Sequence, residues 1–222
     1  MPFVLIAEEQ KTQPLKSLSE QTTQIQAGIH YKRVAEKILK NKLVQQLTNS
    51  SNSKVQVMMF FNYGCGVCRR LNQPFNDWAK QQINSIINIQ KIPVSFNQSW
   101  KTLAQAFYTV QALHKSAQLD EIIFANLHEK AMPLWQEEKL KDFFIANGIE
   151  QGTFTKVFYS FHVNNQVKWA NDLSLAFELV TVPNIIVSGP YGTYITNLVM
   201  TREPQFLFAV VDYLVKKELP KN

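Results

Sequence analysis

The chain's capacity for chemistry is concentrated in its only two cysteines, which stand three apart as Cys65-Gly66-Val67-Cys68. Ahead of them, Val55, Val57, Met58, Met59, Phe60 and Phe61 form a near-continuous apolar run. Such a run is expected of a strand covered on both faces. Asn62, Tyr63 and Gly64 break it, and Leu71, Phe75 and Trp78 then recur at spacings of four and three, one face of a helix. Cys65 therefore falls at the first turn of that helix. Unpaired backbone N–H groups and the positive end of the helix dipole stabilise a thiolate there, and the thiolate is the attacking species. Cys68 lies one turn deeper, shielded but close enough to close a short, reversible disulfide ring. Cys65 reads as the exposed nucleophile and Cys68 as the resolving thiol.

Three other uses of two thiols compete with this reading. Half of a zinc site would need a second CxxC or CxxH; none exists, and His30, His114, His128 and His162 are scattered. Two thiolates alone suffice for a soft ion such as Cu(I). A purely structural disulfide closing four residues stabilises little. The strand–turn–helix context favours redox exchange over all three.

Hydrophobic residues make up 45% of the 222, and only 7 are glycine, which points to a packed globular chain able to bury a substantial core. The net charge of +6 is dispersed, without a long Lys/Arg block or a nucleic-acid motif, so no nucleic-acid partner is expected. No apolar run is long enough to span a bilayer. Met1 to Ala7 is apolar but short and lacks a basic flank, like the tail of a signal segment. The expectation is a longer exported precursor.

Glu8 to Ala27 reads as a polar lead-in, Gly28 to Val34 as an edge strand, and Ala35 to Leu47 as one amphipathic helix. After the cysteine helix, Ile89 to Phe96 reads as a strand held to an edge by Pro93, completing a βαβ unit. From Ser99 to about Leu175 the pattern is helical. Asn184 to Val187 and Tyr194 to Val199 then read as an antiparallel pair around a turn at Ser188-Gly189-Pro190, before a last helix that starts near Pro204.

This order of elements resembles the DsbA family of thiol–disulfide oxidoreductases. The stretches that carry the likeness are FFNYGCGVCRRLNQPFNDWAK, NIQKIPVSFN, KDFFIANGI and TVPNIIVSGPYGTY. The resemblance implies an α/β thioredoxin fold with an inserted all-helical domain. Residues 28–98 and 171–222 would form the thioredoxin-like part, residues 99–170 the insertion, and residues 1–27 a signal remnant and lead-in. It further implies that Pro183 follows a cis peptide bond beside the cysteines, with Val182 pairing to substrate backbone. Gly66, Val67 and Tyr63 complete the surface expected to meet substrate. The activity implied is disulfide exchange with exported proteins in the periplasm, in the oxidising direction, by a monomer that a membrane redox partner resets. Its redox-active Cys65–Cys68 disulfide would serve without metal or organic cofactor. A reductase or isomerase, or a Cu(I) carrier, are the alternatives.

Three departures from the family pattern stand out. Val67 occupies the place of a histidine, Met59 that of a buried acid, and the connection between the first two strands is long. Loss of the histidine implies a weaker oxidant. Arg69 and Arg70 read first as a solvated face, and second as positive potential near Cys65. Trp100, Trp135 and the four histidines carry no motif and read as core or surface.

Overall fold

The computed structural model describes residues 25–49, 55–82 and 86–219. The signal remnant and most of the lead-in lie outside these residues. The strand β1 (Lys32–Arg33) is followed by the short helices α1 (Glu36–Leu39) and α2 (Lys42–Asn49). Next come β2 (Val55–Phe61), α3 (Gly66–Gln81) and β3 (Ile87–Pro93). Five helices follow: α4 (Gln98–Ala112), α5 (Ser116–His128), α6 (Glu137–Ala146), α7 (Gln151–Phe158) and α8 (Phe161–Ala176). The chain ends with β4 (Asn184–Gly189), β5 (Gly192–Thr196), α9 (Leu198–Thr201) and α10 (Pro204–Glu218).

The five strands form one sheet in the order β1-β5-β4-β2-β3. β2 and β3 run parallel and the other neighbours antiparallel. This is a thioredoxin fold with a helical insertion. Every residue of β2 is buried, as its apolar run requires. The antiparallel β2–β4 register sets Phe60 opposite Asn184. That pairing brings the segment entering β4, Val182-Pro183, to the end of β2 from which the cysteine loop departs.

Alternation along β2 divides its last two rings between the faces of the sheet. Phe60 meets Phe177 at 5.7 Å, whereas Phe61 meets Tyr63, Phe107 and Phe124 at 5.4, 5.2 and 6.1 Å. Phe61 thus ties the sheet to α4 and α5. At the far end, Glu218 of α10 accepts the Tyr191 and Gly192 N–H groups at 2.6 and 2.8 Å and holds the β4–β5 turn. Gly189 is needed there because a β-carbon would come within 2.5 Å of the Glu218 side chain.

Four expectations need correction. The first strand covers two residues, because Gly28 (φ +84°) turns the chain and its N–H bonds the Tyr31 carbonyl at 2.8 Å. The single helix over 35–47 is two, since the Asn41 side chain accepts the Leu43 N–H at 2.9 Å and starts a new helix. β3 begins and ends earlier than its apolar run suggests, although Pro93 does sit on an edge strand. The hairpin turns at Pro190-Tyr191, so Ser188 and Gly189 remain in β4, and its second strand is Gly192–Thr196, with Leu198 and Val199 in a helix capped by Asn197 instead. The long helical stretch and Pro204 in the first turn of the last helix are as expected.

Phe61→Ala removes the ring shared by sheet and insertion. It is expected to cost about 3–5 kcal/mol, measured as a fall in the urea midpoint at an unchanged slope.

Candidate active site

Asn62 is the hinge between β2 and the cysteine helix, and it is fully buried. Its amide donates to the Val94 carbonyl at 2.7 Å and the Trp100 carbonyl at 3.2 Å. Its side-chain oxygen accepts the Gly64 N–H at 2.8 Å, and its backbone carbonyl accepts the Cys65 N–H at 3.1 Å. Gly64 is packed so tightly that a β-carbon would lie 3.1 Å from the Trp100 ring nitrogen. The loop is thereby pinned, and Cys65 becomes the N-cap of α3 with extended backbone.

A sulfur takes the role that a serine or aspartate oxygen usually fills at such a cap. Cys65 Sγ accepts the Cys68 N–H at 3.2 Å. It also lies 3.7 Å from the Val182 carbonyl, to which the thiol donates. Both cysteines are free thiols; Cys65 is half-buried and Cys68 fully buried. A hydrogen bond from the Cys68 thiol, aided by the Cys68 and Val67 N–H groups and the Arg70 charge, lowers the Cys65 pKa from 9.0 to about 7 against the opposing effect of burial. Burial, then the hydrogen bond and charge of Cys65, push Cys68 far the other way. One thiol ionises near neutrality and its neighbour resists.

The Val182–Pro183 bond is cis, as the resemblance implies. Its loop is tied down by Asn184, whose amide donates to the Thr181 carbonyl at 2.7 Å, and by Asn197, whose amide donates to the Asn184 side-chain oxygen at 2.9 Å. Cys65 and Val182 are therefore brought together, with Gly66 exposed and Val67 half-exposed beside them.

Tyr63 does not belong to that surface. Its ring is buried, and its hydroxyl donates to the equally buried Asp120, which also pairs with Lys91. A phenol enclosed by Phe61, Phe107 and Phe124 needs a buried acceptor, and Asp120 supplies it. Burial and the Asp120 carboxylate drive the Tyr63 pKa well upward. Phe60 and Phe61 are likewise both core. Arg69 is no solvated bystander, since it pairs with Glu129 and links α3 to the end of α5. Met59 is buried, and the nearest thing to the acid it lacks comes from α5: Asp120, joined through Lys91 to Asn72 of α3 at 2.8 Å. Lys91, a lysine inside an apolar strand, was the sequence signal for that cluster.

His128 had no signal at all. It ends α5 and places Nε2 2.7 Å from the Tyr63 carbonyl, with its ring beside Gly66. With Gly64, Trp100, Leu103 and Trp135 it lines a cavity of about 390 Å³ next to the loop. Among the described residues, no three His, Cys, Asp or Glu side chains gather as a metal site.

A thioredoxin fold carrying an N-capping thiol, a buried second thiol and an adjoining cis-proline loop defines the class of dithiol oxidoreductases. No family model matches the chain. It is 28% identical to the thiol:disulfide interchange protein DsbA of Azotobacter vinelandii over 165 residues, 74% of this chain and 75% of the relative. To the protein of the same name from Burkholderia cepacia it is 29% identical over 180 residues, 80% and 82% of the two chains. The crystal structure of Pseudomonas aeruginosa DsbA superposes with a TM-score of 0.76 at 22% identity, covering 87% and 94%. That of DsbA from Xylella fastidiosa gives 0.70 at 21%, covering 85% and 95%. In sequence the chain is similar to these thiol:disulfide interchange proteins, in fold to the DsbA crystal structures, and its CxxC pair fits disulfide exchange.

Two outcomes follow. Asn62→Ala leaves buried donors and acceptors unpaired and is expected to cost roughly 1–3 kcal/mol, read from urea unfolding. The second concerns pH. The lowered Cys65 pKa means the thiolate exists from about pH 7 in the folded protein but from about 9 in the unfolded chain. Its stabilisation is fully present above the unfolded value and lost as pH falls through the folded one. The stability of the reduced protein relative to Cys65→Ser should therefore grow from about pH 7 to about pH 9, followed by denaturant titration.

Proposed function

We propose that the protein forms disulfides in exported proteins, with Cys65 as the exchanging thiol and Cys68 as the resolving one. The observation that carries this reading is the asymmetry of the pair: a half-exposed sulfur ionising near pH 7 beside a buried sulfur that resists ionisation. A stabilised thiolate favours the dithiol over the disulfide, and the dithiol is the state in which an oxidant finishes its turn. A pKa of about 7 is a modest lowering, in keeping with Val67 between the thiols and with a weaker oxidant than a strongly acidic thiol would make.

In the reaction, a substrate thiolate attacks Sγ of Cys65 in the Cys65–Cys68 disulfide. That bond breaks, and Cys68 leaves with the electron pair and takes a proton, because its buried site disfavours the anion. The substrate is now joined to Cys65. Its second thiolate attacks the substrate sulfur of the mixed disulfide, and Cys65 departs as the thiolate that the Cys68 N–H stabilises. The substrate loses two electrons and two protons; the dithiol gains the electrons. A membrane redox partner would then reoxidise it.

Val182, half-exposed and with its carbonyl 3.7 Å from Cys65 Sγ, is the position from which strand-like pairing would align a substrate peptide. Pro183 shapes that approach, and Gly66 and Val67 offer it an open surface. The periplasm is the proposed compartment, and among the described residues no helix is long and apolar enough to cross a membrane. A Cu(I) carrier is less well supported: Cys68 is fully buried, so only one of the two sulfurs is open to an incoming ion.

Cys68→Ala should accumulate mixed disulfides through Cys65 on non-reducing gels, and Cys65→Ala should abolish exchange with a reduced peptide. Equilibration with glutathione should place the couple on the oxidising side of the glutathione pool. Exchange surviving in Cys65→Ala would reverse the roles, and a potential below that of glutathione would make the protein a reductase.

A further inference from the structure

The dithiol loop is touched by a titratable side chain from outside the thioredoxin part of the fold. His128, the last residue of α5, sends Nε2 to the Tyr63 carbonyl at 2.7 Å. A carbonyl can only accept, so Nε2 carries the hydrogen and Nδ1 is the nitrogen free to gain or lose a proton. The other edge of the ring faces Gly66: Cε1 and Nδ1 both stand 4.0 Å from where a β-carbon on that glycine would lie. Phe124 stacks on the imidazole at 6.2 Å and 25°, which holds its plane. One ring thus bridges residues 63 and 66, the two sides of Cys65. It borders the cavity beside Gly64 and Trp135, where water and protons can reach it.

We propose that His128 is an electrostatic positioning residue for the Cys65 thiolate: the helical insertion lends the loop a switchable positive charge that Gly66-Val67 does not carry. The surrounding charges leave this role open. From α3, Arg70 already acts on Cys65, while Arg69 is occupied by Glu129, the acid nearest to His128 in sequence. Lys130, two residues on, is exposed. α4 presents Trp100 and Leu103 to the cavity, and the segment before α6 presents Trp135; neither brings an ionisable group. The remaining charged cluster, Asp120 with Lys91 and Tyr63, lies two turns back along α5 and is internally paired. Histidine side chains change charge between about pH 5 and 8.

This inference rests on Cys65 being the reactive thiol, and the experiment separates the two. The reduced full-length chain is treated with iodoacetamide across the pH range, and the labelled cysteine is identified by peptide mapping. His128→Asn keeps an N–H donor for the Tyr63 carbonyl but cannot carry charge; His128→Lys restores a permanent cation. The Asn variant should shift the midpoint of Cys65 labelling upward by about 0.5–1 pH unit, a roughly 3–10-fold loss of thiolate on the acidic flank. The Lys variant should label at or below the wild-type midpoint, which a merely structural role would not produce. Coincident profiles for wild type and Asn would overturn the proposal, as would an upward shift shared by Asn and Lys. Absence of Cys65 labelling in the wild type would instead sink the assignment of the nucleophile.

Discussion

The hold of Cys68 on the Cys65 sulfur, through its thiol first and its N–H second, is the interaction on which the rest of the structure depends. It requires a helix that begins at residue 66, a sulfur held at its cap, and a second thiol on the inward face one turn on. Charge at a helix N-terminus is favourable only within the first turn. A displacement of the loop by a residue would remove the effect. Asn62 prevents that displacement by bonding β3's exit and α4 through its side-chain amide and the loop itself through its side-chain oxygen. The amide is buried, and its bonds are worth more there than at the surface because their loss would strand polar groups away from water.

The helical insertion is part of this arrangement. Phe61 packs on Phe107 and Phe124, Arg69 pairs with Glu129, and Tyr63 and Lys91 converge on Asp120. All of these contacts run from the immediate neighbourhood of the cysteines to α4 or α5. The strand has Met59 where a carboxylate is expected, and the buried carboxylate near the loop, Asp120, comes from the insertion and is held by Tyr63 and Lys91. A buried pair of this kind stabilises little by itself; its loss on one side, leaving a lone charge inside, is what costs.

The parts legible in the sequence were those fixed by local pattern. The apolar run of β2 and the Leu71, Phe75, Trp78 spacing of α3 located the dithiol to the residue, because burial on both faces and on one helical face leave different periods. The misread parts were decided by partners far along the chain or by single side chains. GIHYKRV alternates like a strand, yet Gly28 turns it, and nothing in the alternation distinguishes the two. Asn41 split a helix that its apolar residues alone would have continued. Tyr63 looked like an exposed aromatic beside the cysteines, but its acceptor, Asp120, is 57 residues away. His128 acquired its place through the packing of α5 against the loop, which no spacing rule encodes.

The sheet's two open margins carry a final consequence. β1 is only two residues long, and β3 carries an inward-turned lysine and ends in proline. Short edges, buried charge and missing donors are the means by which proteins discourage foreign strands from adding to a sheet. With both flanks made unattractive, an extended chain binding as proposed at residue 182 would meet little competition from the sheet edges, and would lie beside the Cys65 sulfur 3.7 Å from the Val182 carbonyl.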